Sequence, residues 1–181
     1  GSPEYSSVIP IGGKNITNDL AIGLRVSLDD AEKIKIFISK YKSPTMPGRI
    51  EDEQVDIAEL KIAEVKTVDR RFVRDGIIKP RLEEIFDLVN KELKRINKDG
   101  QLPAGAILTG GGARLSGVVE LAKKHLRLPV SIGLPGQVTT VIDRVDDPSF
   151  DTAVGLVLWA NEFLLGSSRT VNKFARKVLE N

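Results

Sequence analysis

A short apolar run that ends in three glycines and reopens as a helix constrains this chain more than any other feature. Residues 104–109 lead into Gly110, Gly111 and Gly112, and Ser116 opens an amphipathic stretch that ends near Leu126. The run predicts a buried strand, and the stretch after it a helix. Glycines at such a junction let a ligand approach the backbone without meeting a Cβ atom, and free amides can face it. Taken alone, the run reads first as a tight strand-to-helix turn. It is not G-x-G-x-x-G, because Leu115 stands where the last glycine belongs, and no Gly-Lys-Ser/Thr follows it.

The rest of the chain alternates strand and helix signals. Tyr5 to Ile11 reads as a short strand ended by Gly12-Gly13. A helix is expected from Thr17 to Leu24, with Asn15 or Thr17 as its cap. Ser27-Leu28-Asp29-Asp30 resembles a capping box, and Leu28, Ala31, Ile34 and Ile38 then recur at helical spacing. Lys40 to Gln54 reads as an exposed loop, and Val55 to Val65 as a bulged strand or a hairpin.

The longest helical signal comes next: Ile78, Leu82, Ile85, Phe86, Val89, Leu93 and Ile96 share one face. Pro80 is either a first-turn residue or a kink after a helical stretch from about Asp69, and Gly100 is the expected stop. Val130 to Ile132 predicts a strand, Leu134 to Pro148 a loop and Asp151 to Leu165 an apolar helix. The pattern is an α/β domain with a smaller insertion near residues 28–100.

Composition excludes several function classes. The 181 residues contain no cysteine, so there is no disulfide framework and no thiolate metal site. The single His125 cannot form a multi-histidine centre. A net charge of +2 gives no general reason to expect nucleic acid. No run of about 18 apolar residues is present, so no segment reads as membrane-spanning. Gly1-Ser2 reads as a cloning remnant, and the strand signal behind it implies that the chain begins inside a longer protein.

Three segments, in order, resemble the FtsA family of actin-like bacterial cell-division proteins. The first is Val8-Ile9-Pro10-Ile11-Gly12-Gly13 with Ile16 to Asp19 and Ala21 to Arg25. The second is Ile77-Ile78-Lys79-Pro80-Arg81-Leu82-Glu83-Glu84. The third is Leu108 to Arg114 with Asp147 to Phe150 and Thr152 to Leu156. Each motif is modest alone; the ordered set is specific.

The resemblance implies half of an actin-like (ribonuclease H-like) α/β fold. Residues 5–27 and 101–166 would form subdomain 2A, and residues 28–100 an inserted subdomain 2B. Residues 167–181 would be a basic C-terminal segment. It also implies one side of a nucleotide cleft that holds ATP with magnesium in the longer protein. Gly110, Gly111, Gly112 and Arg114 would line the purine and ribose. Asp29, Glu32 and Lys33 would face the base or ribose, and Gly12 and Gly13 would lie near the phosphates. Without the resemblance, Asp29, Glu32 and Lys33 read as a solvated helix face with one weak ion pair. The family's phosphate loops and its magnesium-positioning acids fall before residue 1. The chain is therefore expected to bind ATP weakly or not at all, and not to hydrolyse it.

The second implied surface docks the C-terminal tail of FtsZ, the tubulin-like division protein. Arg70, Arg71, Arg74, Lys79, Arg81 and Glu84 crowd the start of the long helix. Arginine suits an acidic tail, because its planar fork bonds both oxygens of a carboxylate. Replacing Arg81 with Glu is expected to weaken peptide binding and leave the domain folded. A solvated charged face is the plain alternative for this cluster.

Val171, Phe174, Val178 and Leu179 have helical spacing among cations, as in a membrane-targeting helix, although a helix packed on the domain fits slightly better. The family setting implies the cytoplasmic face of the inner membrane at the division site, and self-association of the longer protein. Two other classes share the fold: a pilus-assembly protein of the PilM kind, and half of an actin-fold ATPase or sugar kinase. Asn18-Asp19 and the Ile77 to Glu84 helix fit FtsA better than PilM, and no catalytic base stands out.

Overall fold

The computed structural model describes residues 3–40, 54–135, 147–161 and 163. Helix α1 (Gly13–Leu24) begins four residues earlier than its apolar pattern suggests. Gly12 ends the incoming chain, and its amide donates to the Asn15 side chain at 2.9 Å. Asn15 thus acts from inside the first turn rather than as the cap itself. Ile16 and Leu20 are fully buried on the inner face. Arg25, at φ 57°, closes the helix in a left-handed turn.

Helix α2 (Leu28–Lys40) starts at the predicted place. Ser27 accepts from the Asp30 amide at 3.1 Å, and its hydroxyl donates to the Asp30 carboxylate at 2.8 Å. The aspartate is too short to reach back to the cap amide, so it takes the hydroxyl instead. Ala31, Ile34 and Ile38 are buried against α1.

Strands β1 (Gln54–Asp56) and β2 (Thr67–Asp69) form an antiparallel pair with Val55 opposite Val68. This is the hairpin alternative of the sequence reading, with a 3-10 turn at Ala58–Leu60 between the strands. The chain turns helical at Arg70, runs as a π-helix over Phe72–Ile78, and continues as α3 (Lys79–Arg95). Pro80 sits in the first turn of α3, the first of the two options, and a helical stretch precedes it from Arg70. The expected stop at Gly100 is displaced. Asn97, at φ 54°, donates to Lys94 O at 3.1 Å, and Lys98 donates to Leu93 O at 2.9 Å. That is a Schellman closure with asparagine in the left-handed position.

Strand β3 (Ala106–Leu108) pairs in parallel with β4 (Val130–Ile132), and α4 (Val118–Leu126) joins them. The glycine run becomes a 3-10 turn at Gly111–Arg114. Residues 151–161 are helical (α5). Tyr5 to Ile11 is not a strand. A strand needs a paired neighbour, and among the described residues this segment has none. Tyr5 and Ser7 instead donate to one Glu92 oxygen of α3, at 2.7 and 2.9 Å.

One apolar core runs from Ile16 through Val55, Val73, Leu82 and Phe86 to Leu126 and Val130, so it is continuous across residue 100. Most of the Lys40 to Gln54 and Leu134 to Pro148 loops, the end of the last helix and all of residues 167–181 lie outside the described residues.

Gly105 is the tightest backbone position beside the parallel pair. It adopts φ +80°, and an added Cβ would meet the Pro129 carbonyl oxygen at 2.3 Å. Gly105→Ala is therefore expected to cost about 3 kcal/mol or more from left-handed strain plus the clash, read by urea denaturation.

Candidate functional site

The glycine run faces the side of α2 across an open cleft of about 460 Å³. Gly111, Gly112, Arg114 and Leu115 form one wall. Glu32, Lys35, Ile36, Ser39 and Lys40 form the other, and Gly13 and Lys14 of α1 close one end. Added Cβ atoms at Gly110, Gly111 and Gly112 would meet nothing within 4 Å. The run is thus bare backbone beside open space.

The turn is held in place from behind. The Gly110 amide donates to Pro148 O at 2.9 Å, and Thr109 pairs with Asp151. Arg114 lies 3.2 Å from Asp147. Hydrogen bonds from the Ser149 hydroxyl and amide, with Arg114 nearby, hold the Asp147 carboxyl below the usual aspartate range. The two parts of the third motif, far apart in sequence, therefore meet at one corner of the cleft.

The polar wall is a connected cluster. Lys35 Nζ donates to Glu32 at 2.6 Å, to the Thr17 hydroxyl at 2.9 Å and to Gly13 O at 3.2 Å. Thr17 in turn donates to Glu32 at 2.5 Å. Burial pushes the Glu32 carboxyl up, but the Lys35 and Thr17 hydrogen bonds outweigh it and hold the group below the usual glutamate range.

Of the implied nucleotide residues, Gly13, Glu32, Gly111, Gly112 and Arg114 line this cleft, and Gly12 and Gly110 flank it in sequence. Asp29 and Lys33 do not line it. Both are exposed, and Lys33 pairs with Asp30 at 2.7 Å. Lys14, Lys35, Ile36, Ser39, Lys40 and Leu115 are the lining residues that sequence reasoning missed. Helical arithmetic from Glu32 finds three of them, because positions i+3, i+4 and i+7 share its stripe.

The basic cluster does not form one surface. Arg70 is 9% exposed and belongs to the interior. Arg71 is exposed. Arg74 pairs with Asp75 at 3.1 Å and, with Lys79, lines a cleft toward α4 of about 360 Å³. Arg81 and Glu84 lie on the opposite side of the helix, in a groove of about 320 Å³. Asp19, Ile22 and Gly23 of α1, with Gly76, Ile77 and Pro80, complete that groove. Residues 79 and 81 are two positions apart and so cannot share a helix face.

Arg81 also has an internal task. Its fork grips Asp19 at 2.6 and 2.9 Å, and it pairs with Glu84. Arg81→Glu, expected to leave the domain folded, would also place a third carboxylate beside Asp19 and Glu84, so a cost in stability accompanies any effect on binding. The implied membrane residues Val171, Phe174, Val178 and Leu179 lie outside the described residues. Among the described residues no helix is long and apolar enough to cross a membrane.

These features define a mixed α/β chain in which a strand–glycine turn–helix unit faces a helical wall across a ligand-sized cleft. Comparison with known proteins gives the family. The profile of the family described as "Cell division protein FtsA" matches residues 1–155. The protein of that name from Pseudomonas aeruginosa is 33% identical over 159 residues, covering 88% of this chain and 37% of the relative. The Neisseria meningitidis protein is 37% identical over 158 residues, covering 87% and 37%. The Bacillus subtilis protein is 35% identical over 160 residues, covering 88% and 34%. The chain belongs to the FtsA family, which is actin-like, and it spans 37% of the length of the first two relatives.

A depressed carboxylate stabilises the fold above its unfolded pKa, and that stability is lost as pH falls through the folded value. For Glu32 the loss begins near 4.5, the ordinary glutamate value, and extends below it. Glu32→Gln is expected to lower stability at pH 7 and to make its decline below that pH shallower, measured by urea denaturation across a pH series.

Proposed function

We propose that this chain is the part of a cell-division adaptor that docks the FtsZ C-terminal tail and supplies the adenine side of an actin-like ATP cleft. In this reading residues 5–27 and 101–166 are subdomain 2A, and residues 28–100 are subdomain 2B. The longer protein self-associates and helps tether the division ring to the cytoplasmic face of the inner membrane. The chain itself is a binding part and not an enzyme, with magnesium and the phosphate contacts supplied elsewhere.

The observation that carries the nucleotide half is the bare glycine run opposite Glu32, Lys35 and Ser39 across one cleft. A purine fits against backbone without Cβ atoms, and a ribose offers hydroxyls to the carboxylate and ammonium beside it. For the tail, the Asp19–Arg81 groove offers one guanidinium beside the apolar Ile22, Ile77 and Pro80. The apolar anchors of the peptide match that lining, and its acidic groups must compete with Asp19 and Glu84 for the Arg81 guanidinium.

Gly112→Val tests the cleft. The new side chain has open space around it. It is therefore expected to reduce ATP affinity of the intact protein by about tenfold or more with an unchanged melting temperature. Unchanged affinity in calorimetry would remove Gly112 from the site. Ile22, 78% exposed, tests the groove. Ile22→Glu is expected to weaken FtsZ tail binding by about tenfold or more while folding normally, because it puts a charge where an apolar anchor sits. Fluorescence anisotropy with a labelled tail peptide reads the effect.

A further inference from the structure

Helix α1 belongs to both sites. Gly13 and Lys14 line the glycine-run cleft, whereas Asp19, Ile22 and Gly23 line the groove beside Arg81. The helix has 12 residues, so it is a rod about 18 Å long at 1.5 Å per residue. Ile16 and Leu20 lock it into the core with no exposed surface. It therefore shifts as a unit or not at all.

Thr17 stands between the two sites. It is 7% exposed and lines neither of them. Its hydroxyl is held by Lys35 and Glu32, which do line the cleft, and Lys35 also holds the Gly13 carbonyl. The three N–H groups of Lys35 are taken by Glu32, Thr17 and Gly13, so a ligand that engages Lys35 must displace one of these partners. Two residues further on, Asp19 is gripped by Arg81, which lines the groove. Each site thus has a polar hold on the same rod.

We propose that α1 couples the two sites, so that a nucleoside triphosphate in the cleft changes the affinity of the groove for an acidic and apolar peptide. This rests on the two binding assignments proposed above. The effect runs from Lys35 and Glu32 through Thr17 to the Asp19–Arg81 pair, and by linkage it is reciprocal.

The test uses the intact protein that contains this chain. A labelled FtsZ tail peptide is titrated without nucleotide and with a saturating non-hydrolysable ATP analogue. The two Kd values are expected to differ by about fivefold or more. In Thr17→Val, which keeps the shape and loses the hydroxyl, they are expected to agree within about twofold, with each ligand still bound on its own. Thr17→Ser restores the hydroxyl and is expected to restore the difference. Equal Kd values in the unmodified protein would overturn the coupling and leave both binding assignments standing. A difference that survives in Thr17→Val would overturn it as well. Failure of either ligand to bind the unmodified protein would remove the assignment beneath it, and the coupling with it. The comparison in the unmodified protein decides the matter even where Thr17→Val does not fold, and Thr17→Ala serves as the second variant.

Discussion

Most of the described geometry depends on how α1 meets α2. Ile16 and Leu20 of one helix pack against Ala31, Ile34 and Ile38 of the other, and all five are almost wholly buried. At the edge of that apolar contact sits the hydrogen-bonded group of Thr17, Glu32 and Lys35. Hydrogen bonds to charged groups typically contribute about 1.5–3 kcal/mol each. An ion pair in a half-buried place stabilises little beyond an apolar pair of the same shape. Its effect here is on register. Lys35 bonds Thr17 and Gly13 O of α1 in the same rotation of α2 that turns Ile36 and Ser39 toward the glycine run.

The segment from Arg70 to Arg95 divides the molecule in a second way. Its π-helical turn at Phe72–Ile78 widens the helix where α1 approaches it. Gly23 eases the approach, since a Cβ there would stand 2.7 Å from Ile77 Cδ1 and that side-chain end would have to shift. Arg74 and Lys79 then face α4, whereas Ile77 and Arg81 face α1. One run of basic residues therefore serves two surfaces of different composition. The joint between α3 and α4 is itself polar at its rim, where Asn90 donates to His125 O at 2.5 Å and the His125 ring meets Asp87 at 3.1 Å.

Much of the fold was legible because its signals are local. Helical spacing located α2, α3 and α4, and the β3–glycine–α4 unit is where its pattern placed it. The misses have separate causes. Tyr5 to Ile11 has strand composition, but a strand depends on a partner that local sequence does not contain, and Glu92 captures the segment instead. Asn97 ends α3 before Gly100 can, because asparagine also tolerates the left-handed conformation. At the site, the glycines and Glu32 were readable. Lys35 and Ser39 were not singled out, since a lysine on an amphipathic helix gives no sign of which neighbour it will meet.

The sequence by itself determined the family, the alternation of elements and the bare glycine turn, because motif order, periodicity and the absence of a Cβ are properties of the chain alone. Tertiary structure decided which side chains meet. It sent Arg70 inward and Arg74 and Lys79 toward α4. It gave Arg81 to Asp19, 62 positions away, and brought Glu32 and Lys35 to the glycine run. Those choices turn on how helices rotate against one another; for α1 and α2 the packing of Ile16, Leu20, Ile34 and Ile38 and the bonds of Lys35 to Thr17 and Gly13 O act together.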